Sequence, residues 1–231
     1  MSLIVFDLDG TLIDSQRDIA ESANEMLETY GAAPRPVEEV VRMVGEGARI
    51  LVERALAAAG LDPQEVGALD RFKTIYDRRL LTHTVPYRGI PDVVRAASTQ
   101  ASLAVLSNKP AAPTRRLLDA FDLARYFTWV IGGDSAFPRK PDPASLQHVM
   151  GEAGAAPAST LFVGDSMIDV ETARRAGVRL CVVLYGFGGL RGDLALSAEE
   201  RAGAAGHPRD LGAAITRFLA TTQLSDSSDT V

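Results

Sequence analysis

The chain has 231 residues, 46% of them hydrophobic, and carries a formal net charge of −6 from 24 basic and 30 acidic side chains. That length suits one large domain or a core with a smaller insert, and the acidic balance argues against nucleic acid or an anionic membrane as a partner. The single cysteine, Cys181, excludes an internal disulfide, and no apolar run reaches the roughly 18 residues of a membrane helix.

The first element is a short apolar run, Leu3-Ile4-Val5-Phe6, which reads as a buried strand of a parallel sheet. It ends in Asp7-Leu8-Asp9-Gly10-Thr11, where a basic leader and a cleavable apolar stretch would otherwise stand, so a cytoplasmic setting is expected. From Ser15 the apolar period becomes helical: Ile19, Ala20, Ala23, Met26, Leu27 and Tyr30 recur at spacings of three and four, with Gly31 as a stop. Further helices are expected over 37–44, 49–59 and 64–81, punctuated by Gly45-Glu46-Gly47, Gly60 and Pro63. Residues 15–86 thus read as an all-helical insert. After Pro86-Tyr87-Arg88-Gly89 strands and helices alternate: helix 90–97, strand 103–106, helix 113–120, strand 129–131, helix 145–153, strand 160–163, helix 168–176, strand 179–184 and helix 212–219. Five strands in this order predict an α/β fold, a doubly wound parallel five-stranded sheet formed by 1–14 and 87–231. Cys181, within Leu180-Cys181-Val182-Val183-Leu184, reads as a buried apolar residue. Gly186–189 and Gly192 read as a mobile loop, and 221–231 as a polar, frayed tail.

The polar residues of interest sit just past predicted strands or in the loops beyond them: Asp7 and Asp9, then Ser107 and Asn108, then Lys140 in a loop before a helix, then Asp165 and Asp169. In open α/β sheets that edge is where ligands bind. Taken singly, each has a structural reading. Asp-x-Asp-Gly suits a turn, Ser107-Asn108 a helix cap, Lys140 a solvated loop, and Asp169 the first turn of a helix. Together, and in this order, they point to one site. Asp7 and Asp9, two apart on an extended chain, face one centre, and like charges so close call for a cation or a shared proton. A dinucleotide-binding protein fails on its glycine fingerprint and a P-loop NTPase on its lysine motif, since neither pattern occurs. His83, His148 and His207 form no metal cluster by spacing.

Asp7-Leu8-Asp9-Gly10-Thr11, Ser107, Lys140 and Gly164-Asp165-Ser166-Met167-Ile168-Asp169 resemble, in order, the four motifs of the haloacid dehalogenase (HAD) superfamily. The insert resembles the helical cap of members that carry it after the first motif. The resemblance implies a HAD-like core and Mg²⁺-dependent phosphate-ester hydrolysis. It implies Asp7 as nucleophile, Asp9 as acid and base, and Lys140 as charge partner of Asp7. Gly10, Thr11, Ser107 and Asn108 would hold the phosphate. Asp165 and Asp169, with the Asp7 carboxylate and the Asp9 carbonyl, would hold Mg²⁺. Asp9 separates this chain from the superfamily's dehalogenases, which lack a carboxylate there. Lys73, alone among lysines in the insert, argues against imine-forming phosphonate cleavage. Val44-Gly45-Glu46-Gly47-Ala48 and Ser107-Asn108-Lys109-Pro110 resemble segments of bacterial phosphoglycolate phosphatases. That implies a small phosphate ester as partner. An acidic tail on it would suit Arg49 or the backbone N–H groups of the 45–47 loop ahead of a helix, although the glycines also suit a turn and Arg49 a solvated helix position; a monomer or homodimer is expected. Pyrophosphatase, generalist phosphatase, sugar-phosphate mutase and a non-catalytic binding module stay open as alternatives.

Overall fold

The computed structural model describes residues 1–192 and 194–228. Its centre is β1 (Leu3–Phe6), flanked by parallel partners on both sides. All four β1 side chains are buried, as a strand covered on both faces requires. Leu3 and Val5 point to one face, where they pack with Phe162, Leu146 and Val149. Ile4 and Phe6 point to the other, with Leu103, Leu117, Val163 and Phe218. Each buried aliphatic or aromatic side chain contributes about 1.5–3 kcal/mol, so the alternation fixes the strand's register firmly.

Next come β2 (Ile13–Asp14) and four helices, α1 (Gln16–Glu28), α2 (Val37–Val41), α3 (Ala48–Ala58) and α4 (Ala68–Arg79), before β3 (Val85–Pro86). Helix α1 packs on α4, α2 and α3. The expected all-helical insert needs one correction. β2 and β3 pair antiparallel as a two-stranded ribbon where the chain leaves and re-enters the sheet-bearing part. The Tyr87 N–H, donating to the Leu12 carbonyl at 3.1 Å, extends it. Buried Asp18 ties down the return segment, accepting from the N–H groups of His83 (2.9 Å) and Thr84 (2.8 Å) and from the Thr84 hydroxyl (2.7 Å).

The alternation then runs α5 (Ile90–Ser98), β4 (Ser102–Leu106), α6 (Ala111–Ala120), β5 (Trp129–Ile131), α7 (Ala144–Ala153), β6 (Thr160–Gly164), α8 (Met167–Ala176) and β7 (Arg179–Val182). The parallel sheet has the order β5-β4-β1-β6-β7. Register sets Phe6 level with Val105 and with Val163, so Asp7, Ser107 and Asp165 emerge together at one sheet edge. Cys181 is buried in β7, and burial pushes its thiol up to about 12.

Two expectations near the C-terminus are corrected. The glycine-rich segment after β7 is a short helix, α9 (Phe187–Arg191), packed against the site rather than an open loop. A Cβ on Gly188 would lie 1.9 Å from the Asp165 carbonyl oxygen, so only glycine fits that close approach. After α10 (Ala198–Ala202), α11 (Pro208–Ser228) extends well past the expected 212–219. The polar 221–228 segment is therefore helical. Thr222 is buried with its hydroxyl on the Phe218 carbonyl (3.0 Å), and the Thr221 hydroxyl accepts from Arg179 (2.7 Å). Residues 229–231, the rest of the expected frayed tail, lie outside the described residues. Among the described residues no helix is long and apolar enough to cross a membrane.

Candidate active site

A cavity of about 750 Å³ opens between the sheet edge and the α1–α4 helices. Asp7, Asp9, Ser107, Asn108, Lys140 and Asp165 line it from the sheet side. Gly45, Gly47, Arg49, Phe72, Lys73 and Tyr76 line it from the helical side, with Phe187 of α9. Strand ends supply the first group because a parallel sheet leaves its last backbone groups and following loops at one edge.

Asp7 follows β1 directly, its N–H still paired to the Val163 carbonyl at 2.8 Å. The buried Lys140 ammonium donates to Asp7 Oδ1 and to Asp169 Oδ1, each at 2.6 Å. Asp169 sits in the first turn of α8. Its Oδ2 accepts from the N–H groups of Asp165 (3.2 Å) and Ser166 (3.0 Å) and from the Ser166 hydroxyl (2.6 Å). Ser166 caps the same helix, so this capping box aims the other oxygen of Asp169 at Lys140. Asp165 directly follows β6 and is held from behind: Gly188 N–H donates to Oδ2 (3.0 Å) and the Thr11 hydroxyl to Oδ1 (3.4 Å).

Asp7, Asp165 and Asp169 each present an oxygen within 4.8 Å of the others, all three residues buried. Among the described residues, these three carboxylates gather around the Lys140 ammonium. Burial strips Asp7 of water and outweighs the Lys140 ammonium, and Asp169 adds repulsion, so the Asp7 carboxyl is pushed up to about 7. Burial also disfavours the Lys140 charge, but Asp169 and Asp7 overcome it and hold the ammonium above its ordinary range. Both shifts say that this centre wants more positive charge. Hard oxygen donors with that deficit fit a divalent cation such as Mg²⁺.

Asp9 makes a second, separate pair. The Lys109 Nζ donates to both of its carboxylate oxygens at 2.7 Å, and the Ser15 hydroxyl donates to Oδ1. Lys109 is itself buried, with its ammonium 4.9 Å from the centroid of the Tyr76 ring. Burial works against its charge, but Asp9 outweighs it and raises the ammonium above its usual range.

The remaining expected residues divide. Ser107 lines the cavity with its Oγ accepting from the Lys109 N–H (3.2 Å). The Asn108 side chain is spent on structure: Nδ2 donates to the carbonyls of Gly45 (2.9 Å) and Lys140 (3.0 Å), and Oδ1 accepts from the Lys140 N–H (2.9 Å). Any phosphate contact there falls to its backbone. Gly10 and Thr11 do not line the cavity. The Gly10 N–H closes a turn onto the Ile13 carbonyl (2.9 Å) and the Thr11 N–H onto Leu8 (3.3 Å), while both residues lie behind Asp165. Gly10 has φ +89°, and a Cβ there would meet Asp165 Oδ2 at 2.5 Å. Arg49 is exposed on the cavity wall, and Glu46 pairs with Arg54 rather than facing inward.

Sequence reasoning missed Lys109 and Tyr76 as parts of the site, and read the segment that forms α9 as a loop beside it. A signal for Lys109 was present: of only three lysines, two follow the sheet's strands.

The family model for haloacid dehalogenase-like hydrolases matches residues 4–183. A protein of Pseudomonas aeruginosa named phosphoglycolate phosphatase 1 is 42% identical over 192 residues, covering 80% of this chain and 70% of that protein. A Pseudomonas putida phosphoglycolate phosphatase is likewise 42% identical, over 191 residues and the same shares. Among solved structures, one titled a predicted phosphoglycolate phosphatase, from Haemophilus somnus, superposes with a TM-score of 0.75 at 31% identity, covering 80% of this chain and 86% of that one. A haloacid dehalogenase-like hydrolase of Streptococcus pneumoniae shares the fold at TM-score 0.76 and 20% identity, covering 92% and 97%.

Proposed function

The chain belongs to the haloacid dehalogenase-like hydrolases and is a phosphoric monoester hydrolase, and on that premise we propose that it cleaves 2-phosphoglycolate to glycolate and phosphate. The observation that carries the reading is the buried Asp7 carboxylate at the end of the central strand, with an ammonium on one oxygen and two more carboxylates around it. Asp7, Asp165 and Asp169 would hold Mg²⁺, which when bound supplies charge to offset the repulsion between a carboxylate nucleophile and a phosphate dianion.

Asp7 attacks phosphorus and becomes an aspartyl-phosphate, while Asp9 gives a proton to the leaving oxygen. Asp9 then takes a proton from water as that water attacks the phosphorus, releasing phosphate and restoring Asp7. Lys140 holds Asp7 in place and neutralises charge beside it. Ser107 and the backbone N–H of Asn108 orient the phosphate. Gly10 and Thr11 act one step removed, bracing Asp165. Residues 15–86 form a cap over a core of 1–14 and 87–231, excluding bulk water when substrate is bound. The protein works in the cytoplasm as a monomer or homodimer. The substrate itself is carried by the names of relatives at 42% identity.

The test is a Mg²⁺-dependent panel of phosphoglycolate, pyrophosphate, phosphoserine, hexose phosphates and nucleoside monophosphates, with Asp7→Asn as control. A lead in kcat/KM for phosphoglycolate of tenfold or more (roughly 1.4 kcal/mol) is expected. A flat profile would replace this reading with a generalist phosphatase.

A further inference from the structure

The clamp on Asp9 poses a problem for an acid that must serve a leaving oxygen. Oδ1 accepts from both Lys109 and Ser15, and Oδ2 accepts from Lys109. Something must draw the Lys109 ammonium away before Asp9 can turn to another atom. In a buried site an ammonium gives up an anionic partner only for another anion, because leaving it unpaired is costly.

The proposed substrate supplies such an anion at the right place. Its carboxylate joins the leaving oxygen through a single methylene. A cation that reads this carboxylate must therefore stand beside the group that protonates that oxygen. Lys109 stands there. Among the described residues, the other cations facing the cavity stand elsewhere: Lys140 is held between Asp7 and Asp169, Arg139 donates its Nε to the Gly133 carbonyl at 2.8 Å, and Arg49 and Lys73 are exposed on the helical side. Tyr76 lies over the Lys109 ammonium and stacks on Phe72 at 5.8 Å, an aromatic lid that keeps water off the charge.

We propose that Lys109 is the receptor for the substrate carboxylate, and that this carboxylate takes the ammonium over from Asp9 on binding. The exchange frees the Asp9 side chain to turn toward the leaving oxygen, so the tail of the substrate brings into place the group that serves that oxygen. An ester of equal length with an uncharged tail cannot make the exchange. This inference rests on the phosphoglycolate reading and adds to it how the tail is sensed.

The experiment compares kcat/KM for phosphoglycolate and for ethyl phosphate, which has a methyl group in place of the carboxylate, in the full-length enzyme with Mg²⁺. The quantity read is the ratio of the two. In Lys109→Met the ratio falls about 10- to 100-fold, the worth of a hydrogen bond to a charged group, and Lys109→Arg recovers part of it. If thermal melting shows that Lys109→Met does not fold, Lys109→Gln serves instead. Its amide still donates to Asp9 but carries no charge, and the same fall is expected. A ratio unchanged within threefold in the folded variant overturns the inference and leaves Lys109 as a support for Asp9 alone. Equal turnover of the two esters by the unaltered enzyme defeats the phosphoglycolate reading itself, and the inference with it.

Discussion

Replacing Lys140 with methionine tests the charge balance of the site most sharply. The ammonium is bonded to Asp7 and Asp169 at 2.6 Å each, and all three residues are buried. Methionine keeps the volume and removes the charge. The exposed repulsion can be sized: two carboxylate oxygens within 4.8 Å repel by about 3–4 kcal/mol at an effective dielectric of ~20. Asp7, already pushed up to about 7, escapes part of this by taking a proton. A net loss of about 3 kcal/mol in the metal-free protein follows, matching what a broken buried pair costs. For a domain of this size that lowers Tm by about 6–12 °C. Mg²⁺ relieves the same repulsion, so its stabilising effect on Lys140→Met should exceed that on the unaltered protein. Catalysis should still fall about 10³-fold, because the ion replaces charge but not the bond that orients Asp7. The assay is thermal melting with and without Mg²⁺, alongside kcat. A metal-free Tm equal to the unaltered protein's, with an unchanged Mg²⁺ response, would mean that Lys140 does not offset this repulsion.

Other outcomes follow from the same geometry. Asp7→Asn should fold normally yet lose turnover to background, as measured by phosphate release. Gly188→Ala should cost about 1–3 kcal/mol by overpacking and weaken Mg²⁺ binding, since its Cβ would press on the Asp165 backbone at 1.9 Å; calorimetric titration reads the binding. Asn108→Ala leaves the Gly45 carbonyl and both Lys140 backbone groups without their partner, so a loss of about 2–4 kcal/mol and a raised KM are expected from urea melts and kinetics. Arg174 holds the Glu200 carboxyl down at about 2. The folded value lies below the unfolded one, so the pair's small contribution at this solvent-facing position is full above about pH 4.5 and fades as pH drops toward 2. The stability gap between Arg174→Ala and the unaltered protein should therefore narrow from about pH 7 to about pH 3.

The sheet was legible because each strand is a short apolar run ending abruptly in polar loop residues, as Leu3–Phe6 before Asp7 and Thr160–Gly164 before Asp165. The carboxylates and Lys140 were legible because order along the chain maps onto strand ends. The β2–β3 ribbon was not: two-residue strands carry no periodicity, and their partners lie far apart in sequence. The α9 glycines read as loop glycines because sequence shows small size but not that a backbone approaches Asp165. Lys109 and Asn108 were read as loop and phosphate residues. Their actual partners, Asp9 and Gly45, lie 100 and 63 positions away, and only the folded chain brings them together.

The proposed hydrolysis turns on Asp7 carrying the phosphoryl group. The direct measurement is acid quenching under single-turnover conditions with phosphoglycolate and Mg²⁺, followed by mass spectrometry of the peptide containing Asp7. A transient phosphoryl adduct on Asp7 that appears and decays with turnover, and that is absent from Asp7→Asn, is expected. Full turnover without an adduct, together with an active Asp7→Asn, would contradict it.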